Sequence, residues 1–243
     1  MGKPAHHVPP TAAGEYASLE PLDAHRVAAL VPCHRKAPDR SLVEEIRRHV
    51  GALLLVDDGC PPARAREVEL LGAETGADVL RLPTNTGKGS AIAAGLRHLL
   101  SRRPAPEAVL VLDADGQHPP SAIPAFLAAA AGAELVIGDR FGDLRAMPWQ
   151  RRLMNRLAAR LLALVTRRAV RDSQCGMRLL RGRALAEIAF PRGRYEAETR
   201  HLKRCLRSGV RVAWVPIPAV YDGQRSSFRA VRDTLRVLAA LLG

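Results

Sequence analysis

Val109-Leu-Val-Leu-Asp113-Ala-Asp115-Gly-Gln117-His118-Pro119 sets two carboxylates at the point where an apolar run stops. Four aliphatic residues in a row are too few for a helix and read as a strand covered on both faces. In open α/β sheets, ligands bind beyond the carboxyl ends of strands, which is where Asp113 and Asp115 fall. Alternation along an extended chain turns both to one side, so both can address a single cation. With 12 Asp in the chain, about 0.6 Asp-x-Asp triplets arise by chance, so position rather than spacing carries the argument. A solvated Asp-Gly turn is the alternative reading. On the first, Mg²⁺ or Mn²⁺ would be held by carboxylates together with substrate phosphates, offsetting charge on a departing diphosphate.

Outward from this stretch, similar short runs recur at Val27–Val31, Leu53–Val56, Val79–Leu82 and Leu135–Ile137. Amphipathic stretches at Leu42–Val50, Ala63–Thr75 and Ser90–Leu100 separate them and are long enough for crossover helices. This predicts an α/β fold with a mostly parallel central sheet flanked by helices. After Asp139 the pattern becomes a helical, basic part. A long helix is expected over Trp149–Arg167, an irregular segment around Asp172–Met177, a helix over Glu196–Arg207 and a strand over Val210–Val215, ended by Pro216 and Pro218. Phe228–Leu242 places Phe228, Val231, Leu235 and Leu238 at helical spacing. That helix either lies on lipid or packs on the protein's own sheet.

Two further motifs sit at strand ends. Val56-Asp57-Asp58-Gly59 closes an apolar run; its carboxylates would accept hydrogen bonds from a nucleoside, or simply form a turn. Leu82-Pro83-Thr84-Asn85-Thr86-Gly87-Lys88-Gly89-Ser90 is a glycine-rich turn opening a helix. Its N–H groups are expected to cradle a phosphate, with Lys88 as a point charge. P-loop and dinucleotide fingerprints both fail: Gly89 follows Lys88 where Ser or Thr is needed, and Ile92 stands where the third glycine belongs. Kinase and dehydrogenase readings drop.

The net charge of +13 is one-sided. Residues 1–139 carry 14 Lys+Arg against 17 Asp+Glu (−3), and residues 140–243 carry 23 against 7 (+16). The second half therefore attracts polyanions, whether phosphate substrates or anionic lipid, unless Arg merely decorates a solvated face. Aromatic residues are only 4%, against the base-stacking side chains of single-strand binders, so nucleic acid is not expected. Cys33, Cys60, Cys175 and Cys205 show no paired spacing and imply a reduced compartment. Residues 1–25 read as a flexible N-terminal arm without a secretory apolar stretch. Ala122–Gly138, broken by Pro124 and Glu134, falls short of the roughly 20 apolar residues a spanning helix needs. Arg140, Arg151, Arg152, Asn155, Arg225, Ser226 and Ser227 supply candidate anion contacts beside the cation, though each Arg alone reads as a surface residue.

Taken in order, these motifs, with Val31-Pro32, Gly138-Asp139-Arg140-Phe141, Asp172-Ser-Gln-Cys-Gly176 and Val215-Pro216-Ile217, resemble family 2 glycosyltransferases. The similar branch is that of dolichyl-phosphate mannose synthase and bacterial polyprenyl-phosphate sugar transferases. The resemblance implies a single Rossmann-like GT-A domain over residues 26–225, with a nucleotide-sugar half to about 139, an acceptor half after it, and an amphipathic helix over 226–243. It implies an inverting transfer of hexose from a GDP- or UDP-sugar to an acceptor, with polyprenyl phosphate foremost and a glycan, protein or small molecule as alternatives. A catalytically idle basic module is the remote one. By the same resemblance Pro32, Asp57, Asp58, Lys88, Asp113, Ala114 and Asp115 would bind the donor. Asp113, Asp115 and Gln117 would ligate Mg²⁺ or Mn²⁺, and Asp139 and Arg140 would join Asp113 and Asp115 in catalysis. Arg140, Arg151, Asn155, Arg225 and Ser226 would hold the acceptor, and Glu198 resembles an acidic position of the family. The family's Arg and Ser-Lys pair after the Val-Pro-Ile strand is replaced by Tyr221-Asp-Gly-Gln-Arg225-Ser-Ser-Phe228, and the hydrophobic hairpins of some relatives are missing. Peripheral attachment to the cytoplasmic face of a membrane is the expectation; oligomeric state is not readable.

Overall fold

The computed structural model of the chain describes residues 19–142, 149–187, 189–194 and 196–218. Its strands are β1 Val27–Cys33, β2 Ala52–Asp58, β3 Asp78–Leu82, β4 Ala108–Val111, β5 Leu135–Asp139, β6 Arg178–Arg181 and β7 Val212–Pro216. They form one seven-stranded sheet in the order β3-β2-β1-β4-β6-β5-β7. Every neighbouring pair is parallel except those of β6, which runs antiparallel to both β4 and β5. The α/β class and the mostly parallel sheet expected from the apolar runs are therefore observed. The α-helices are α1 Arg40–Arg47, α2 Pro62–Thr75, α3 Lys88–Leu100, α4 Ile123–Ala129, α5 Trp149–Thr166, α6 Gly182–Ala186 and α7 Glu196–Arg207, with short 3₁₀ turns at Ala24–Arg26, Pro120–Ala122 and Arg140–Gly142.

The near-continuous apolar character of β1, β2, β4 and β5 follows from coverage on both faces. Val27 to Val31, Leu53 to Val56, Val109 to Leu112 and Leu135 to Ile137 are all essentially solvent-free. Each such Val or Leu contributes about 1.5–3 kcal/mol by leaving water. Helix α3 lies on this core through Gly95, where an added Cβ would come within 2.5 Å of Leu30 Cδ1.

Three elements escaped the sequence reading: α4, α6 and β6. Strand β6 is only Arg-Leu-Leu-Arg, and its flanking arginines disguise a strand in which all four residues are buried. Arg178 is wholly enclosed, donating to the Glu198 carbonyl at 3.1 Å and to the Cys175 carbonyl at 2.7 Å. Arg181 donates to the carbonyls of Ala130 and Glu20. Both are tolerated because carbonyl oxygens replace their lost hydration. The Glu20 bond and a Leu19 N–H bond to the Ala131 carbonyl tie residues 19 and 20 to the body, so the expected loose arm does not extend to residue 25.

Strand order changes direction at β1, with β2 and β3 on one side and β4 on the other, which makes the β1/β4 carboxyl ends the switch point of the sheet. Antiparallel β6 adds something more. Its first residue, Arg178, pairs with Val111 of β4 and Ile137 of β5, so the preceding segment, Asp172–Met177, lies across the carboxyl ends of those two strands.

Candidate active site

Beyond β4 the chain turns sharply at Gly116, whose φ of +75° suits glycine. Asp115 Oδ1 accepts from the Gln117 N–H at 3.0 Å, an Asx turn that leaves the carboxylate exposed. The turn brings one ligand atom each from Asp113, Asp115 and His118 within 4.8 Å of one another. His118 is 3% exposed, its Nδ1 has no hydrogen-bond partner, and that atom lies 3.8 Å from Asp113 Oδ2. Burial, with Arg140 and Lys88 nearby, outweighs Asp113 and pushes the imidazole down to about 4, so it is neutral at pH 7. A neutral, buried, unpartnered ring nitrogen beside two carboxylates fits a divalent cation, and it binds one without releasing a proton. The two carboxylates suit Mg²⁺ or Mn²⁺, and the imidazole nitrogen is better matched to Mn²⁺ than to Mg²⁺.

Lys88 stands behind this group. Its ammonium lies 2.6 Å from Asp113 Oδ1 and 3.1 Å from Glu198 Oε1. Burial alone would lower the Lys88 ammonium, but the two carboxylates overcome that and raise it. Burial alone would likewise raise the Asp113 carboxyl, yet Lys88, with His118 and Arg140, holds it down at about 2. Asp115 goes the other way, pushed up by burial and by the neighbouring Asp113 charge. The packing is tight: a Cβ at Gly176 would fall 2.5 Å from Asp113 Oδ2 and 3.0 Å from Lys88 Nζ. A side chain at position 176 would therefore push the Asp113 and Lys88 side-chain ends out of their present places.

At the end of β2 both carboxylates are buried. Asp57 Oδ1 accepts from the Cys60 N–H at 2.7 Å, and Oδ2 lies 3.6 Å from Arg81 Nε. Asp58 accepts three bonds from the glycine-rich turn: Thr86 N–H at 2.7 Å, Thr86 Oγ1 at 2.8 Å and Gly87 N–H at 2.9 Å. The Ser90 N–H is bonded to the Gly193 carbonyl. The expected phosphate cradle is thus corrected at Thr86, Gly87 and Ser90, whose N–H groups already have protein acceptors. Asp58 anchors the turn that presents Lys88. His34, following β1, donates from Nδ1 to the Asp58 carbonyl and meets Asn85 Nδ2 through Nε2 at 2.6 Å. Pro32, half-buried at the end of β1, and Ala114, buried after β4, border the same switch point.

Past β5, Asp139 accepts from the Phe141 N–H at 3.0 Å, and Arg171 lies 3.4 Å from its Oδ2. Arg140 is engaged bidentately by the buried Asp172, Nε to Oδ2 at 2.7 Å and Nη2 to Oδ1 at 3.0 Å. An Arg expected to clasp an acceptor phosphate instead holds the Asp172–Met177 segment over the strand ends. Its charge still reaches Asp113 and His118. Asn155 is half-buried on α5. The side chain of Arg151, and Arg225, Ser226 and the helix expected over 226–243, lie outside the described residues.

Residues 43–189 match the family model described as glycosyl transferase family 2, well over half of the chain. The chain belongs to that family. An undecaprenyl-phosphate 4-deoxy-4-formamido-L-arabinose transferase of Enterobacter sp. (strain 638) is 32% identical over 168 residues, covering 65% of this chain and 49% of its own length. The family 2 chain thus spans about half of that relative. A polyprenol monophosphomannose synthase of Mycolicibacterium smegmatis is 29% identical over 206 residues, covering 79% of this chain and 76% of the relative. Among solved structures, the crystal structure of a mycobacterial protein superposes with a TM-score of 0.68 at 21% identity, covering 89% of this chain and 73% of the other. It shares the fold.

Within this family 2 chain, three functional features lay beyond sequence reading. His118 stands inside the Asp113–Pro119 motif, but its burial and orphaned Nδ1 are tertiary facts. Glu198 as the partner of Lys88 joins residues 110 apart, and Asp172 as the partner of Arg140 joins residues 32 apart. The resemblance to the family marks both Glu198 and the Asp172–Gly176 stretch, but not which basic residue each one holds.

Proposed function

We propose that the chain transfers a hexose, with inversion, from a nucleotide-diphosphate sugar to polyprenyl phosphate at a membrane surface. The observation that carries this is the meeting of Asp113, Asp115 and His118 within 4.8 Å at the switch point of the sheet. The family, and relatives named for undecaprenyl-phosphate and polyprenol substrates, support it.

Asp113, Asp115 and His118 would hold Mg²⁺ or Mn²⁺, with Gln117 beside them. Bound there, the cation supplies charge neutralisation for the departing diphosphate. Lys88 fixes Asp113 in its ionised form through a direct ion pair, so the carboxylate needs no deprotonation to act. Asp57 and Pro32, at the ends of β2 and β1, border the path of the nucleoside, and Asp58 keeps the Lys88 turn in place. Asp139, through its bond to the Phe141 N–H, sets the backbone at the acceptor side. A phosphate acceptor arrives ionised, so the chain would act mainly by orientation and electrostatics rather than by removing a proton. The basic half, with Arg151, Asn155, Arg225 and Ser226 among its polar groups, would gather acceptor phosphate and associate peripherally with the membrane. Among the described residues no helix is long and apolar enough to cross one.

Melting the protein with GDP or UDP, with and without Mn²⁺, should show a metal-dependent rise for one base. Radiolabelled sugar nucleotide with polyprenyl phosphate should then yield an organic-soluble product. No rise with any nucleotide counts against the donor site; label reaching only glycan, protein or water moves the acceptor elsewhere.

A further inference from the structure

Among the described residues five large apolar side chains are exposed, and four of them are on α5. Leu153 is 58% exposed, Leu157 43% and Leu164 76%. At 100° per residue these three fall within about 40° of one another, while buried Leu162 lies on the opposite face. This outward stripe is accompanied by charge. Arg160 is exposed on the same face, and Arg167 and Arg168 are exposed just past the helix. From residue 144 to residue 171 the chain has eight Arg and no Asp or Glu.

An apolar stripe with Arg along it is the chemistry of a helix lying in a membrane interface. Leucines enter the boundary between headgroups and acyl chains, and long Arg side chains reach back to lipid phosphate. We propose that the outward face of α5 docks the protein on an anionic membrane surface through Leu153, Leu157 and Leu164, with Arg160, Arg167 and Arg168 on the headgroups. Charge argues against two other occupants. A second copy meeting face to face would bring two Arg runs together with no acid between them. The chain's own residues 219–243 carry four Arg against two Asp and have the same sign.

The position suits the site. The Arg156 guanidinium sits 5.8 Å over the Phe141 ring, and Phe141 donates to Asp139 at the end of β5. Helix α5 also touches α7, which carries Glu198. A membrane met by α5 therefore lies beside the acceptor half. In purpose the inference rests on the proposed lipid acceptor; its test uses neither donor nor acceptor.

The full chain is sedimented with vesicles of phosphatidylcholine, and of phosphatidylcholine with about one third phosphatidylglycerol. Binding should favour the anionic vesicles by at least about tenfold and fall as salt rises. The double change Leu153→Gln with Leu164→Gln should weaken binding to anionic vesicles by about tenfold or more. Arg160→Glu with Arg168→Glu should abolish the lipid preference. All variants should keep the wild-type melting temperature and its metal-dependent nucleotide shift. Absence of wild-type binding, wild-type binding by the leucine variant, or a solution dimer that the leucine changes dissolve would each overturn the docking face. Vesicle binding as expected in a chain that shows no nucleotide shift would instead leave docking standing and remove the donor reading.

Discussion

Two acidic pairs close two neighbouring regions of the sheet, and they do different work. Asp57 and Asp58 at the end of β2 are 1% and 3% exposed, and between them they accept four bonds from Cys60, Thr86 and Gly87. Asp113 and Asp115 after β4 meet around His118, Asp113 backed by Lys88 and Asp115 exposed, and among the described residues their oxygens take one backbone bond, the Asx turn. Similar motifs, Asp-Asp-Gly and Asp-Ala-Asp-Gly, therefore divide into an anchor and the proposed cation site. The difference comes from what surrounds them. A carboxylate surrounded by backbone N–H groups is satisfied by the protein, whereas the Asp113 and Asp115 pair, steadied by Lys88 and set beside an unpartnered imidazole nitrogen, keeps oxygens for the proposed cation.

The sharpest break of this contrast is Asp115→Ala, which should cut transfer by about 10³-fold, roughly 4 kcal/mol of transition-state stabilisation. Stability should not fall. The Asp115 residue is exposed, its carboxyl is pushed up by partial loss of water and by Asp113, and it makes one Asx-turn bond, so removing it should leave the urea midpoint nearly unchanged. Steady-state kinetics beside a urea melt checks both halves; equal activity in the variant would end the metal role of Asp115.

Asp58→Ala should do the reverse as its first effect. It strands the N–H groups of Thr86 and Gly87, and should cost about 3–4 kcal/mol in urea unfolding. Loss of donor affinity should follow only because the Lys88 turn is released. A variant with native stability and lost nucleotide binding would make Asp58 a ligand residue after all.

The third test is a pH titration of the metal-free protein. His118 is depressed from 6.5 to about 4, so the unfolded chain takes up its proton first. Stability is then complete above pH 6.5, declines as pH falls toward 4, and levels off below, a swing of about 3 kcal/mol. Asp113, depressed from 3.8 to about 2, adds its own loss only below that window. His118→Asn should flatten the stretch from 6.5 to 4. An unchanged slope in the variant would mean that His118 is not held neutral.

Much of this was legible before any coordinates. The runs ending at Val56, Leu112 and Ile137 read as covered strands because their apolar character is continuous, and the aspartates that follow mark the ligand edge. Strand β6 was not legible, because Arg178 and Arg181 look like surface residues until carbonyl partners from other elements are known. Nor was Arg140, an apparent phosphate ligand that Asp172 already holds.

Local pattern alone determined the fold class, the strand ends and the carboxylates that stand at them, since periodicity and chain direction are properties of neighbours in sequence. Which of those carboxylates anchor and which remain open was decided by distant partners: Thr86, 28 residues from Asp58, and Lys88, which meets Asp113 and is itself held by Glu198, 110 residues away. The free energy of a charge depends on the donors, the opposite charges and the dielectric around it. Those are assembled only when the chain closes on itself.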